Sequence, residues 1–417
     1  MADIQENYAP FAFPTGKKSI IKVIGVGGGG CNAVTYMFNQ KIEGCNFIVC
    51  NTDAQALGKS NVPNKIQLGA GLGAGTDPSR GRKAALESQD EIASKLFDDG
   101  KTQMLFITAG MGGGTGTGAS PVIAQMAKER GILTVAVVTL PFKNEGNESQ
   151  SKASDGILEL EKNVDSLLLI NNEKLYEYFG DELVQNAFPH ADEVLAIAVR
   201  GIIEIIQKPG YINVDFMDVT NMMKDSGMAL MGSGTGTGEH RLEDALKGAF
   251  ESPLLNDFDL KTCKNVLINI TAGNNDRGLM MNELSRIDDM VSERIGKANK
   301  FKRGVILDET PEFGDQVKIT VIATGFDKGS IGNITKDMGN TIILDDHFQY
   351  NSNVIETGEE IDLPQPPTLA EKIGFNTMEN RRKFSFTEKP LLCVDHNQNI
   401  GELEAVPAIR RINSEKK

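Results

Sequence analysis

The first half of the chain alternates short, β-prone apolar runs with longer segments in which apolar residues recur at helical spacing. Five runs are predicted as strands, at residues 19–26, 47–51, 104–108, 132–139 and 166–170. Helices are predicted from about residue 33 and over residues 81–97. Strands and helices that alternate in this way indicate an α/β fold with a parallel, Rossmann-like sheet and helices on both faces.

The second half begins with residues 191–207, which are apolar almost all round and therefore predict a buried central helix. Helical runs at 242–249 and 278–295 and strands at 265–270 and 317–324 predict a second α/β domain. After Gly325 short runs, prolines and mixed charge are typical of a disordered linker. The predicted organisation is an extension at 1–18, a first domain at 19–190, the central helix at 191–210, a second domain at 211–326, a linker at 327–400 and a partner-binding peptide at 401–417.

Bulk composition narrows the class of protein. The 417 residues carry a net charge of −14, which argues against nucleic acid as the main partner. No apolar run approaches the roughly 18 residues that cross a membrane, and the first residues do not read as a signal peptide, so we expect a cytoplasmic protein without membrane insertion. The five cysteines and four histidines are scattered, which indicates reduced thiols and no zinc site.

The candidate chemistry lies in three glycine-rich segments, at residues 27–30, 69–76 and 109–118. The segment at 109–118 follows a predicted strand, leads into a predicted helix and carries two threonine hydroxyls. In that geometry backbone N–H groups and a helix N-terminus converge on an anion, so it is predicted to bind phosphate. It is not a Walker A loop, because no Lys follows the glycines.

Two kinds of nucleotide fit these segments. Gly25, Gly27 and Gly30 form a G-x-G-x-x-G pattern, and Asp53 lies at the distance expected of an acid that binds ribose. A dehydrogenase that binds NAD is therefore one interpretation. Three glycine segments at strand ends instead favour the triphosphate of a mononucleotide, which is the interpretation we prefer.

The base is less well defined by the residues. Asn172 and Asp192 are candidates to recognise guanine, whose N1–H and amine a carboxylate can accept together, and Phe188 is available to stack. Asp192 is equally well explained as an acid favoured by a helix dipole. The residues alone do not choose guanine over adenine.

Two further carboxylates, Asp215 and Asp218, follow the predicted central helix. Paired carboxylates can hold a cation or orient an attacking water. An Asp that caps a helix at a strand-to-helix boundary is the other explanation, and spacing alone favours it.

Taken together, these segments resemble the FtsZ family of bacterial tubulin homologues. The matching motifs are GGGGCNAV at 27–34, NTDAQAL at 51–57, GGGTGTG at 112–118, Pro-Phe and Glu-Gly within 141–146, and NVDFMD at 213–218. They follow the family's order over residues 19–326, and residues 407–411 resemble its C-terminal partner peptide. The resemblance implies a tubulin-like fold and a GTPase of bacterial cell division that polymerises head to tail, with Mg²⁺ assisting. Asn213, Asp215 and Asp218 of one subunit then complete the hydrolytic site of the next.

The resemblance also implies contacts with GTP or GDP. Asn32, Asn172, Phe188 and Asp192 address the nucleoside, Glu145 lies near the ribose, and residues 71–76 and 112–118 address the phosphates. The residues expected to bind nucleotide are Gly27, Gly28, Gly29, Cys31, Asn32, Asn51, Asp53, Gly71, Gly73, Ala74, Gly75, Thr76, Gly110, Gly112, Gly113, Gly114, Thr115, Gly116, Thr117, Gly118, Pro141, Glu145, Asn172, Phe188 and Asp192. The peptide at 401–417 is expected to bind membrane-anchor and division proteins at a mid-cell ring.

The chain departs from the family pattern at two positions. Ser149 stands where the family usually carries an Arg that reaches toward the terminal phosphate, and Lys152 is the nearest basic residue downstream. A filament that binds GTP without hydrolysing it is therefore a further interpretation. Cys31 replaces a common Gly, which predicts that nucleotide binding is sensitive to thiol modification. Residues 232–238 repeat the signature but are interpreted as a structural turn.

Overall fold

The structure is a computed structural model that describes residues 19–208, 210–251, 260–296, 298–310 and 313–326. The predicted extension at 1–18, the linker at 327–400 and the peptide at 401–417 lie outside the described residues. The strands are β1 (Ile21–Val26), β2 (Asn46–Asn51), β3 (Asn64–Gln67), β4 (Met104–Gly110), β5 (Leu133–Leu140), β6 (Ser166–Asn171), β7 (Gly227–Gly236), β8 (Asn265–Gly273), β9 (Lys300–Asp308) and β10 (Val317–Thr324). The α-helices are α1 (Gly27–Asn39), α2 (Ala54–Lys59), α3 (Pro78–Glu87), α4 (Gln89–Leu96), α5 (Gly114–Lys128), α6 (Asn147–Asn163), α7 (Glu173–Phe179), α8 (Val184–Gln207), α9 (Phe216–Met223), α10 (Arg241–Phe250) and α11 (Met281–Ile295).

Strands β1 to β6 form a parallel sheet in the order β3-β2-β1-β4-β5-β6. Every residue of β1 is buried, as expected of a parallel strand that is covered on both faces. In the register of the sheet, Val26 lies beside Cys50 on one side and Ala109 on the other. The strands therefore end almost level, and the predicted parallel sheet is confirmed.

The sheet continues through β7, β10, β8 and β9. β7 runs parallel to β6, and Gly227 pairs with Ser166 where both strands begin. β10 is antiparallel to β7 and β8, and β9 is parallel to β8. The second half of the sheet is therefore mixed, and β7, β8 and β9 point in the same direction as β1 to β6.

Helices cover both faces of the sheet, as predicted. On one face α1 and α8 pack against strand residues such as Val23 and Phe106. On the other face α3, α5 and α6 pack against residues such as Ile24 and Ile107. α8 shares its core with residues from both halves of the sheet, which confirms the predicted buried central helix. None of the helices in the described ranges has the length and apolar composition required to span a membrane.

Several element boundaries differ from the prediction. α1 begins at Gly27 rather than near residue 33, because the chain enters the helix directly at the end of β1. The single helix predicted at 81–97 is divided into α3 and α4 at Ser88. α8 begins at Val184, well before the predicted residue 191. The prediction missed β9, an edge strand, because its charged residues interrupt the apolar pattern by which strands are recognised.

The structural turn predicted at residues 232–238 was wrong, because residues 232–236 belong to β7. The glycines there permit α10 to pack closely on the strand. A Cβ built at Gly234 would lie 2.2 Å from the carbonyl oxygen of Ala245, a distance that no side chain tolerates. The repeat of the signature in the second half of the chain therefore serves packing between a helix and a strand.

Candidate functional site

The loops that follow β1, β2, β4, β5 and β6 lie side by side at one edge of the sheet, because the strands are parallel and end level. This carboxyl edge is where ligands bind in open α/β sheets. Residues 27–30 open α1 directly after β1, and residues 109–118 span the end of β4 and the start of α5. Residues 69–76 follow β3 and return to the same edge. The structure therefore brings the three predicted glycine segments together.

The first turns of α1 and α5 have no side-chain cap. The residues that precede these helices, Val26 and Gly113, make no capping hydrogen bond, and neither first turn contains an acidic residue. The first N–H groups of an α-helix have no partner within the helix and carry partial positive charge. Two such helix ends on neighbouring strands form a cradle suited to a polyphosphate.

Close approach of the two segments explains part of their glycine content. Gly27 has a φ of +74°, and a Cβ there would lie 2.8 Å from the backbone nitrogen of Gly116. By contrast, Gly28 and Gly113 are exposed, and a Cβ on either would have no heavy atom within 4 Å. Gly29 and Asn32 are also exposed in the first turns of α1. The open space therefore lies beside bare backbone N–H groups.

The remaining polar groups and glycines of the signature segment hold the cradle together. The Gly112 N–H donates to Thr117 Oγ1 at 2.9 Å, and Thr115 Oγ1 lies 2.6 Å from Thr52 Oγ1. A Cβ at Gly118 would lie 1.9 Å from the carbonyl oxygen of Pro78 in α3. Gly110, Gly114 and Gly116 likewise lie against neighbouring backbone or side chains. The threonine hydroxyls thus organise the loop whose backbone faces the open space.

The segment at 69–76 is tied to the other loops by backbone hydrogen bonds. The Gly73 N–H donates to the Thr52 carbonyl at 2.8 Å, and the Gly114 N–H donates to the Gly75 carbonyl at 3.2 Å. Gly71, Gly73 and Gly75 all have positive φ values, which glycine adopts without strain. Ala74 is buried, whereas Gly75 and Thr76 are exposed beside the start of α5.

Asn51 and Asp53 are engaged with the backbone of their own loop. Asp53 Oδ1 caps α2 by accepting from the N–H groups of Gln55 and Ala56, at 2.8 and 3.1 Å. Asn51 is buried, and its Oδ1 accepts from the Asp53 N–H at 3.2 Å. Both side chains therefore have a structural role that accounts for them without a ligand.

The loop after β5 is shaped by a residue that the sequence reasoning missed. Gln150 is buried in α6 and donates to the carbonyls of Pro141 and Phe142, at 3.0 and 2.9 Å. Glu145 is exposed, and its carboxylate accepts from the Phe142 N–H at 2.9 Å. Gln150 could have been recognised from the sequence, because it is an uncharged polar residue on the apolar side of α6.

Asn172 and Asp192 have unusual surroundings. Asn172 Oδ1 is buried and has no hydrogen-bond partner among the described residues, which is rare for a buried amide oxygen. Asp192 lies past the first two turns of α8, so the helix dipole does not explain it. Burial raises the pKa of the Asp192 carboxyl from 3.8 to about 6. Phe188 lies in the same helix, but its side chain is outside the described residues.

Cys31 is less reactive than its position suggested. Its thiol is 5% exposed and donates to the carbonyls of Gly25 and Cys50, at 3.6 and 3.3 Å. Burial raises the pKa of this thiol to about 12, so almost no thiolate exists at neutral pH. The predicted sensitivity to thiol modification is therefore wrong for the folded protein.

Asp215 and Asp218 form a reciprocal cap at the start of α9. Asp215 Oδ1 accepts from the Asp218 N–H at 2.7 Å, and Asp218 Oδ2 accepts from the Asp215 N–H at 3.2 Å. Asp218 Oδ1 also pairs with Lys302 Nζ at 2.8 Å. Asn213 Oδ1 accepts from the Gly210 N–H at 2.7 Å. Capping fixes both carboxylates, while Asp215 and Asn213 stay exposed.

These aspartates lie at the opposite edge of the sheet from the glycine segments. α9 leads into the start of β7, and its last carbonyl, Met223 O, accepts from Ser166 Oγ at the start of β6. Lys302, the partner of Asp218, lies near the start of β9, which points in the same direction. The glycine segments instead follow the strand ends. One copy of the chain therefore cannot bring the aspartates to the cradle.

Large apolar side chains are exposed beside both groups. Leu72 in the third glycine segment is 93% exposed, and Tyr211 and Met217 beside the aspartates are 84% and 58% exposed. Leu72 and Met217 lie at the two opposite edges of the sheet, whereas Tyr211 directly precedes Ile212, which bridges to Val305 in the second half of β9. Single exposed apolar side chains are common on protein surfaces, and these are available for contact with a partner.

Comparison with known proteins places these features in a family. Residues 20–180 match the model of the Tubulin/FtsZ family, GTPase domain, and residues 227–327 match the FtsZ family, C-terminal domain. The chain is 45% identical over 363 residues to the cell division protein FtsZ of Porphyromonas gingivalis, an alignment that covers 85% of this chain and 77% of the relative. It is 49% identical over 311 residues to FtsZ of Pseudomonas putida, covering 73% of this chain and 76% of the relative.

A solved structure described as an empty FtsZ dimer from M. jannaschii has a similar fold. Its TM-score is 0.66 at 39% identity, and the alignment covers 74% of this chain and 89% of that chain. The similarity extends over both halves of the sheet, which is the part of the chain that carries the glycine segments and the aspartates.

Proposed function

The chain belongs to the tubulin/FtsZ family, and from that premise we propose that its GTPase site is assembled between two copies of the chain, stacked head to tail. The protein is a GTPase of bacterial cell division that binds GTP and GDP and associates with itself. The dehydrogenase interpretation is excluded, because the family model that matches the glycine segments is that of a GTPase domain.

One observation carries the proposal of a shared site. The glycine cradle and the pair Asp215 and Asp218 lie at opposite edges of one sheet. Stacking two copies in the same orientation brings the aspartates of one copy onto the cradle of the next. The exposed Leu72 and Met217 lie on these two surfaces and become buried by the same contact.

In this arrangement the cradle holds the phosphates and the next subunit contributes the hydrolytic groups. Backbone N–H groups of the glycine segments that have no partner within the described protein, such as those of Gly28, Gly29 and Gly113, neutralise the phosphates. The reciprocal cap fixes the carboxylates of Asp215 and Asp218, and Asn213 is held beside them. A fixed carboxylate orients a water for attack on the terminal phosphate, and hydrolysis is then strongest in assembled protein.

The nucleoside is assigned to the side of the cradle where α1, α7 and α8 meet. The unpartnered amide oxygen of Asn172 suits an N–H or O–H donor of the nucleoside. The partly buried carboxylate of Asp192 suits the two donors of guanine, and its desolvation is a cost that a donor-rich base offsets. Asn32, Glu145 and Phe188 complete this set as proposed contacts.

Mg²⁺ is the proposed cation, and the described residues contain no group of three or more His, Cys, Asp or Glu side chains that would enclose a metal. The donor set therefore fits an ion that is held mainly by phosphate oxygens and water. When bound, Mg²⁺ neutralises charge that develops on the phosphates.

Residues 401–417 are proposed to bind membrane-anchor and division proteins, which localises the filament to a cytoplasmic ring at mid-cell. This peptide and the linker lie outside the described residues, so the proposal rests on the sequence pattern and the family.

Mixing two inactive variants tests the shared site. Asp215→Ala removes a hydrolytic carboxylate, and Gly113→Val fills the cradle without a clash, because Gly113 has extended backbone and no atom within 4 Å of a Cβ. Each variant alone is expected to lose phosphate release, whereas a mixture regains part of it at interfaces that combine the two intact surfaces. Light scattering on the same samples reports assembly.

The proposal predicts that phosphate release per subunit rises from near zero above a threshold concentration, together with scattering. Activity that is constant per subunit at all concentrations, with no recovery in the mixture, contradicts a site shared between copies.

A further inference from the structure

A lysine beside the cradle stands out because its ammonium contacts one of the glycine segments directly. Lys152 lies in α6, and its Nζ donates to the carbonyl oxygen of Thr76 at 2.7 Å. The same Nζ pairs with Glu148 Oε1 at 2.5 Å, and the Lys152 side chain is only 23% exposed. The cation is therefore held against the segment at 69–76 rather than extended into solvent.

The first turns of α6 border two of the three glycine segments. Thr76 directly follows Gly75, whose carbonyl accepts from the first N–H of α5. A Cβ at Gly112 would lie 3.0 Å from the carbonyl oxygen of Ser149, so the backbone of α6 also packs against the signature segment. Lys152 therefore lies close to the N-terminus of α5, which no side chain caps.

Two arginines of α3 near the cradle already have carboxylate partners. Arg82 of α3 pairs with Glu159, and Arg80 pairs with Asp77 at 3.5 Å. The carboxylate partner of Lys152, by contrast, is Glu148, which lies in a solvent-exposed ion pair. Glu148 is 82% exposed, and its pairing with Lys152 lowers the pKa of its carboxyl. An exposed ion pair of this kind contributes little to stability, so a stronger anion can replace Glu148.

The two faces of the sheet identify which part of a nucleotide reaches Lys152. The proposed nucleoside contacts lie on α1, α7 and α8, and α1 and α8 pack on one face of the sheet. α5 and α6 pack on the other face. A nucleotide whose base lies between α1 and α8 must cross the carboxyl edge toward α6. Its terminal phosphate then reaches the side on which Lys152 and Thr76 lie.

We infer that Lys152 binds the terminal phosphate of a nucleoside triphosphate, and that Glu148 is the anion which this phosphate displaces. The inference rests on the proposed nucleotide site. It gives the chain a side-chain cation that distinguishes GTP from GDP, in a cradle otherwise built from backbone N–H groups. Because Lys152 belongs to the same copy as the cradle, it acts before any second copy arrives.

Binding to the unassembled protein tests this inference. Nucleotide-free protein is kept below the assembly threshold, and the affinities for GTP and GDP are measured by competition with a fluorescent guanine nucleotide. Lys152→Met retains the aliphatic stem and removes the charge. A lost charge-assisted hydrogen bond predicts a GTP affinity about 10- to 100-fold lower, with a much smaller change for GDP. Glu148→Gln is expected to raise the GTP affinity severalfold, because it removes the competing anion.

Lys83→Met is the matched control, since Lys83 is 78% exposed on α3 and, among the described residues, its ion pair is with Glu87. It is expected to leave both affinities unchanged. Lys152→Arg is expected to preserve the preference for GTP. An unchanged ratio of GTP to GDP affinity in both Lys152→Met and Glu148→Gln overturns the inference. If the mixed-variant assay fails while these variants do change the ratio of GTP to GDP affinity, the shared site is overturned and the inference about Lys152 is not. The two failures are therefore distinguishable.

Discussion

Asp192 carries a stability cost that its proposed contact with the nucleotide would explain. Its carboxyl has a pKa raised from 3.8 to about 6 by burial, and the side chain lies in a helix interior where the dipole gives no compensation. At neutral pH the carboxyl is ionised in both states, and the folded protein holds this charge in a less solvated environment than the unfolded chain does. A shift of roughly two pKa units corresponds to about 2 to 3 kcal/mol of lost stability, allowing for some solvent screening.

Asp192→Asn removes this charge with little change of shape. Both folded and unfolded wild-type chains are protonated below pH 3.8, so the cost is absent there. The unfolded chain loses its proton first as the pH rises, and the cost is complete above pH 6. The variant is therefore expected to exceed the wild type in unfolding free energy by about 2 to 3 kcal/mol at pH 7.5, and the gain shrinks toward zero as the pH approaches 4.

Urea unfolding of nucleotide-free protein at a series of pH values measures this gain. Glu193→Gln is the matched control, because Glu193 is the next residue in α8 and its side chain is 48% exposed. For this control, no gain in unfolding free energy is expected to develop across the pH range in which Asp192 titrates. If Asp192→Asn gives no gain in unfolding free energy at pH 7.5, or the same gain at every pH, burial is refuted as the cause of the raised pKa.

The same variant tests why a buried carboxylate is retained. If Asp192 accepts from the N1–H and the amine of guanine, Asp192→Asn is expected to weaken GTP binding at least about tenfold. The preference for GTP over inosine triphosphate, which lacks the amine, is expected to disappear. A variant that gains stability and keeps this preference contradicts the assignment of the base.

Two further predictions concern single residues. Lys302→Met removes the partner of Asp218, and because this pair is partly exposed, stability is expected to change by less than about 1 kcal/mol. Phosphate release per assembled subunit is expected to fall while GTP affinity of the unassembled protein is retained; a fall in both shows that Lys302 does not act through Asp218. Gly30→Ala would place a Cβ 2.2 Å from the carbonyl oxygen of Thr108, so thermal unfolding is expected at a markedly lower temperature. Gly58→Ala has open space and lies in a helix, and is expected to stabilise by about 0.5 to 1 kcal/mol; equal melting temperatures for the two variants contradict this steric explanation.

Five strands of the parallel sheet were predictable because each is an apolar run that is mostly buried, whereas β3, with one buried residue among Asn64–Gln67, was not predicted. β10 was predicted with its observed limits, and β1, β2, β4, β5 and β6 differ by one or two residues at their ends. β9 was not predicted, since its charged residues find partners such as Asp218 and Asp288 only in the folded chain. The glycines at 232–236 were misread for a related reason: whether a glycine serves a turn or close packing depends on what lies opposite it.

The sequence by itself determined the apolar strands of the sheet, the glycine segments and the type of chemistry they suit, because these depend on local pattern and backbone geometry. It also presented Asp215 and Asp218 as a pair with two explanations, and both the cap and the exposed carboxylates are present in the structure. Only the tertiary structure decided that the cradle and the aspartates lie at opposite edges, because this depends on the direction of β6 and β7 and on the order of strands in the sheet. The same holds for Lys152 and Asn172, whose surroundings arise from elements distant in sequence that fold against one another.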